Sequence, residues 1–225
     1  TTGPEFLAFS PSAGSNINDI EVEGSGTVTM TSGATAQNSL TIASGATLNN
    51  NGNRLEVDGG ATTPAEINGT FSGSGNLRIT GSRTFDVIGS GSVSNLESNL
   101  SGGSLDLALS TDATLGGLST SNNGGVVRTV DGSLSTIDGT VSLTGGSNVL
   151  LREDLTVGGT FTHNSGRVTL GTSGASLTLN GENNTIDGSG SGYTFDGNGR
   201  VVFAGDAAQS AAIPSDIQIA RVEIN

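Results

Sequence analysis

The stretch NSLTIASGATLNNNGNRLEVDGG runs from Asn38 to Gly60 and returns in looser form as EDLTVGGTFTHNSGRVTLGTSGASLTLNG, from Glu153 to Gly181. In both, a short strand is followed by glycine, a second short strand, an asparagine-containing turn and a third strand. Leu40 and Ile42, Leu55 and Val57, Leu155 and Val157, and Leu177 and Leu179 alternate with polar residues. This is the period-two pattern of a strand with one buried face. Three such strands in roughly 18–25 residues make one turn of a parallel β-helix, whose hollow is filled by the inward aliphatic side chains. Glycine and asparagine suit its corners, where positive φ is needed.

Outward from these two phrases the same alternation recurs. Thr27–Val28–Thr29–Met30–Thr31, Asn76–Leu77–Arg78–Ile79, Ser104 to Leu109, Thr140 to Leu143, Arg167 to Leu170 and Asp216 to Ile219 all carry it. No stretch has the 3.6-residue apolar stripe of an amphipathic helix, and the 37 glycines would be costly inside one. No proline-rich, charged or long Gly/Ser segment separates two cores. The expected fold is therefore all-β: a single parallel β-helix over residues 17–225, with three short strands per coil. About ten coils at about 4.8 Å each give a rod near 50 Å long. Residues 1–16 lack alternation but hold Phe6, Leu7 and Phe9, and are read as an arm or a cap.

Composition narrows the function. Charged residues make up 13 % of the 225, and 21 acids against eight arginines leave a net charge of −13. Such a surface excludes nucleic acid and anionic lipid as partners, since both require a basic face. It suits an exterior solvated in salty or extracellular surroundings. Cysteine is absent, so there is neither a disulfide framework nor a thiolate metal site. No apolar run approaches the ~18 residues of a membrane-spanning helix. The opening Thr1–Thr2–Gly3–Pro4, without methionine, is expected of a processed form or an excerpt.

Sites for chemistry are sparse. The one histidine, His163, reads as a surface turn residue, and no triad or histidine metal cluster can be assembled around it. Asp86, Asp106, Asp131 and Asp138 fall between inward positions and should face water. The segment IDGSGSGYTFDGNGR places Asp187, Asp196 and Asn198 among glycines, a weak candidate for calcium; the EF-hand pattern and the Gly-Gly-x-Gly-x-Asp repeat are both missing. Calcium there would stiffen the rod; no other cofactor is expected. Threonine pairs such as Thr27/Thr29 and Thr160/Thr162 have the local spacing of an ice-binding array, yet from sequence they do not recur coil after coil. With no tryptophan and only Tyr193, no aromatic sugar-binding groove is indicated.

The phrases INGTFSGSGNLRITGS, EDLTVGGTF and GRVVFAGDAAQSAAIPSDIQIARVEIN resemble the repeat regions of bacterial extracellular β-helix proteins. These are the autotransporter and filamentous-haemagglutinin group and the surface repeat proteins of gliding-type bacteria. The resemblance, from about Ile17 to Asn225, implies a secreted or cell-surface adhesin, sheath, filament or stalk, and carries no catalytic motif. The final residues Ile217 to Ile224 are as strand-like as the interior and echo Asp19 to Gly24. Three explanations fit this end: an excerpt of a longer chain, a head-to-tail polymer, or a monomer capped by residues 1–16. The reading taken is a non-enzymatic structural protein that stacks head-to-tail with itself. Phe6, Leu7, Phe9, Ile20 and Val22 are expected on one side of the joint, and Ile217, Ile219, Val222 and Ile224 on the other. A surface adhesin module is the second expectation. A polysaccharide-cleaving enzyme is the third, disfavoured by the negative charge.

Overall fold

The computed structural model describes residues 7–9, 16–121, 125–130, 132–146, 148–164, 166–171, 174–186, 194–212, 219 and 221–225. Among these, the regular structure is entirely strand, and every pairing is parallel with partners one turn apart. The chain winds as a parallel β-solenoid with three faces. The first face includes Leu55–Val57, Leu77–Gly81 and Leu96–Leu100; the second, Ala65–Ile67, Thr84–Gly89 and Ser104–Leu109. The third includes Thr47–Asn49, Thr70–Ser72 and Ser92–Val93, and forms a sheet of eleven strands. The other two faces are joined into one sheet of 17 strands, because Ala34–Ile42 runs through the corner between them. Its first part pairs with Leu55–Val57 and its second with Ala65–Ile67.

Three strands per turn agree with the sequence, but the turn count is lower. The second face runs through eight consecutive pairings from Asn16–Val22 to Thr194–Gly197, so the helix makes about eight full turns where about ten were expected. The third face extends further, with Leu7–Phe9 before it and Val222–Ile224 after it. Among the described residues the last turn has strands on two faces only, Ser210–Ala212 and Val222–Ile224, and so is not counted as complete.

One residue ladder shows how the core is built. On the third face Leu48, Phe71, Val93, Leu115, Ile137, Val157 and Leu179 stack on one another through the hollow, all buried. Their aliphatic and aromatic groups meet Leu55, Leu77 and Leu96 from the first face, also buried in the same continuous core. Burial of each side chain of this size stabilises the fold by about 1.5–3 kcal/mol.

Corners are closed by amides. Asn50 is fully buried; its Nδ2 donates to the Gly75 carbonyl at 2.8 Å, while its Oδ1 accepts from the Gly52 and Gly75 N–H groups, each at 3.0 Å. One side chain thereby satisfies polar backbone in two successive turns, which burial requires. Elsewhere the turns approach too closely for any side chain. A Cβ at Gly89, where φ is +130°, would stand 1.9 Å from the Ile67 carbonyl oxygen.

His163 corrects the sequence reading. It ends the strand Phe161–His163, is 0 % exposed, and stacks between Leu143 and Ile186. Its Nε2 lies 3.2 Å from the Gly166 carbonyl oxygen, so the polar ring makes a bond across the adjoining turn. The alternation begun by Phe161 carries the imidazole inward despite the polar Asn164 that follows. His163→Leu, which matches the neighbours of that row, is expected to shift stability by less than about 1.5 kcal/mol, whereas His163→Asp buries a carboxylate and costs several. Chemical denaturation of the two variants checks this.

Candidate functional site

Val222 and Ile224 are exposed among the described residues, where the side chains they follow in the stack are buried. On the third face, Leu179 is followed by Phe203 and then by Ile224, and Val201 is followed by Val222. Phe203 and Val201 are buried, but Val222 is 47 % and Ile224 82 % exposed. No described residue stacks on them. They border a cleft of about 350 Å³ whose other walls include Phe203, Ala207 and Ala211. The strand Val222–Ile224 is held on one side by Arg200–Phe203, with Val201 N donating to Arg221 O and Asn225 N to Phe203 O, each at 3.0 Å. Glu223 lies 3.4 Å from Arg200 Nη1 and 4.0 Å from Arg221 Nη2. The strand is thus aligned, with its acid between two arginines and apolar groups on the inner row, and among the described residues no strand pairs with its far edge.

The opposite end is different. Leu7–Phe9 forms the first rung of the third face, with Leu7 opposite Val28 and Phe9 opposite Met30. Ile20 and Val22 sit within the core at 8 % and 4 % exposure, so they support the first layer more than they offer free surface. Ile219 is partly buried and packs against the core. Phe6 and Ile217 lie outside the described residues. Of the nine residues selected from sequence for a joint, Val222 and Ile224 are the two exposed large hydrophobics.

The calcium candidate lies only partly within the described residues. Asp187 lies outside the described residues, Asp196 falls on the strand Thr194–Gly197, and Asn198 is an exposed residue just beyond it. Among the described residues, no group of three or more His, Asp or Glu side chains is placed to hold a metal ion.

The outer faces differ in chemistry. On the first face Arg78 stands between two acids, 3.5 Å from Glu56 and 3.2 Å from Glu97. On the second, Arg128 grips Asp106 through two bonds of 2.6 and 2.7 Å. These pairs are partly exposed, and each contributes no more than about 1 kcal/mol. Near the amino end Asp19 accepts from Ser39 Oγ at 2.6 Å and Asn38 Nδ2 at 2.5 Å. The Ser39 bond, then those from Asn38 and Asn18, hold its carboxyl below the ordinary value of 3.8.

The third face carries hydroxyls instead. Thr27, Thr47 and Thr70 stack in register on its outer side, followed by Ser92 and Thr114. Thr136 flanks the Leu115/Ile137 pair, and Thr156 and Thr178 continue the row. Threonine therefore does recur turn after turn, which corrects the expectation from sequence. The next outward row holds Thr29, Asn49 and Ser72 in its first layers. The Arg78 and Arg128 ion pairs lie on the other two faces, while Glu223 stands in register beyond Val202, which follows Thr178.

Comparison of the chain with protein-family models, with curated proteins and with solved structures gives no match.

Proposed function

We propose that this chain is a non-enzymatic structural protein of the bacterial cell exterior, building a filament, sheath or stalk by stacking β-helix ends head to tail. The observation that carries the reading is the exposure of Val222 and Ile224 at the end of rows that are otherwise buried. Among the described residues no strand pairs with the far edge of Val222–Ile224, and a strand edge above an apolar cross-section is the surface that another turn covers. A contact between unlike ends does not close on itself and so propagates. In this reading the strand Leu7–Phe9, which pairs with Thr27–Met30, pairs on its other edge with Val222–Ile224 of the preceding copy. The acidic, lysine-free surface keeps such rods from associating side by side.

Electron microscopy and light scattering over a dilution series test it. Wild type is expected to form filaments whose mass grows with concentration. Val222→Asp combined with Ile224→Asp places charges in the joint and leaves discrete rods with an unchanged β circular-dichroism spectrum. Wild type that stays as single rods when concentrated overturns the stacking and moves the reading to a surface adhesin module.

A further inference from the structure

We propose that the outer side of the third face binds ice. The ladder of Thr27, Thr47, Thr70, Ser92, Thr114, Thr136, Thr156 and Thr178 puts a hydroxyl side chain in the same place in eight successive layers. The rise between layers is about 4.8 Å, so the ladder runs roughly 34 Å, and its first three layers carry a second outward residue about 6.8 Å further along the strand, Thr29, Asn49 and Ser72. Its pairings show no register shift, unlike the bulged pairing of Asn16–Val22 with Ala34–Ile42 on the other faces.

Three properties select ordered water as the occupant. Each threonine hydroxyl both donates and accepts, so a row of them can hold waters at the repeat of the ladder. The β-branched side chain is stiff at χ1 and the backbone beneath it is fixed by the stack, so little side-chain freedom is lost on contact. The neighbouring methyl groups restrict where those waters can go. A protein partner would need the aromatic or arginine anchors that dominate interfaces, and these two rows hold none. The ion pairs of Glu56, Arg78 and Glu97 lie on the first face and that of Asp106 and Arg128 on the second, while on the third face Asp138 follows Ile137 and Glu223 stands beyond Val202 at the end of the ladder. A periodic solid needs only the repeat. Weak contacts summed over eight layers then favour a crystal surface over liquid water. The inference is independent of end-to-end stacking, which would only lengthen the face.

Ice-crystal shaping and recrystallisation inhibition, measured on the full chain, test it. Wild type is expected to facet growing crystals and keep grains small. Thr114→Tyr with Thr136→Tyr, at two exposed positions in the middle of the row, raises bulky rings above the ladder while keeping strand propensity, and is expected to lose both activities. Thr162→Tyr, on the first face, retains them, as does the Val222→Asp/Ile224→Asp rod, so failure of stacking and failure of ice binding are read separately. Wild type that leaves ice growth unchanged overturns the proposal, as does full activity in the folded Thr114/Thr136 variant.

Discussion

Phe71→Ala lowers the stability of the rod by about 3–5 kcal/mol and splits its unfolding into two steps. Phe71 is among the largest fully buried side chains, stacked between Leu48 and Val93 in the row that fills the hollow. Removing the ring leaves a cavity that the fixed corners cannot collapse. In a solenoid each layer contacts only its neighbours, so a weak layer uncouples the turns on either side. Urea titration is expected to show an early transition belonging to residues before Phe71 and a later one belonging to those after it. Hydrogen exchange assigns them: protection lost first around Thr27–Met30 and Thr47–Asn49, and last around Leu155–Val157. One cooperative transition at lower urea, with uniform exchange, would show that the stack unfolds as a single unit.

Gly89→Val is expected to cost more than about 4 kcal/mol and to abolish soluble expression at ordinary temperatures. Two effects add at this position. With φ at +130° an L side chain is strained, and a Cβ would meet the Ile67 carbonyl oxygen at 1.9 Å, a contact with backbone that no rotamer change relieves. Gly24→Ala separates the two effects. There φ is +82° but nothing lies within 4 Å, so only the conformational cost of about 1–2 kcal/mol applies. Thermal melting of both variants checks the difference, and equal melting points would remove close packing of the layers as the reason for glycine at position 89.

Much of the architecture was legible because period-two alternation is local. Leu55/Val57 and Leu177/Leu179 announce their inward faces within three residues, and the glycine-and-asparagine turns mark the corners. His163 was equally legible in principle: Phe161–Thr162–His163 alternates, and only the polar Asn164–Ser165–Gly166 that follows disguised the last inward position. The threonine face was not. Its members are separated by 20, 23, 22, 22, 22, 20 and 22 residues, because corner loops vary in length, and only the backbone register brings them into line. The joint residues were half legible. Alternation marks Ile20, Val22, Val222 and Ile224 alike as inward, but which of them a neighbouring layer covers depends on the third dimension.

The ladder bonds that join one turn to the next run along the axis of the rod, and this fixes how it answers a pulling force. Tension between the two ends loads the bonds of the outermost layer head-on, so the rod unzips a turn at a time instead of shearing as a block. Inner-row steps of 20 to 24 residues mean that each surrendered turn gives up about 4.8 Å of rod and releases about 75 Å of chain. The molecule is in effect a coiled tether: stiff under small loads, extensible roughly fifteen-fold per turn under large ones, and able to rewind on the layers that remain when the load is released.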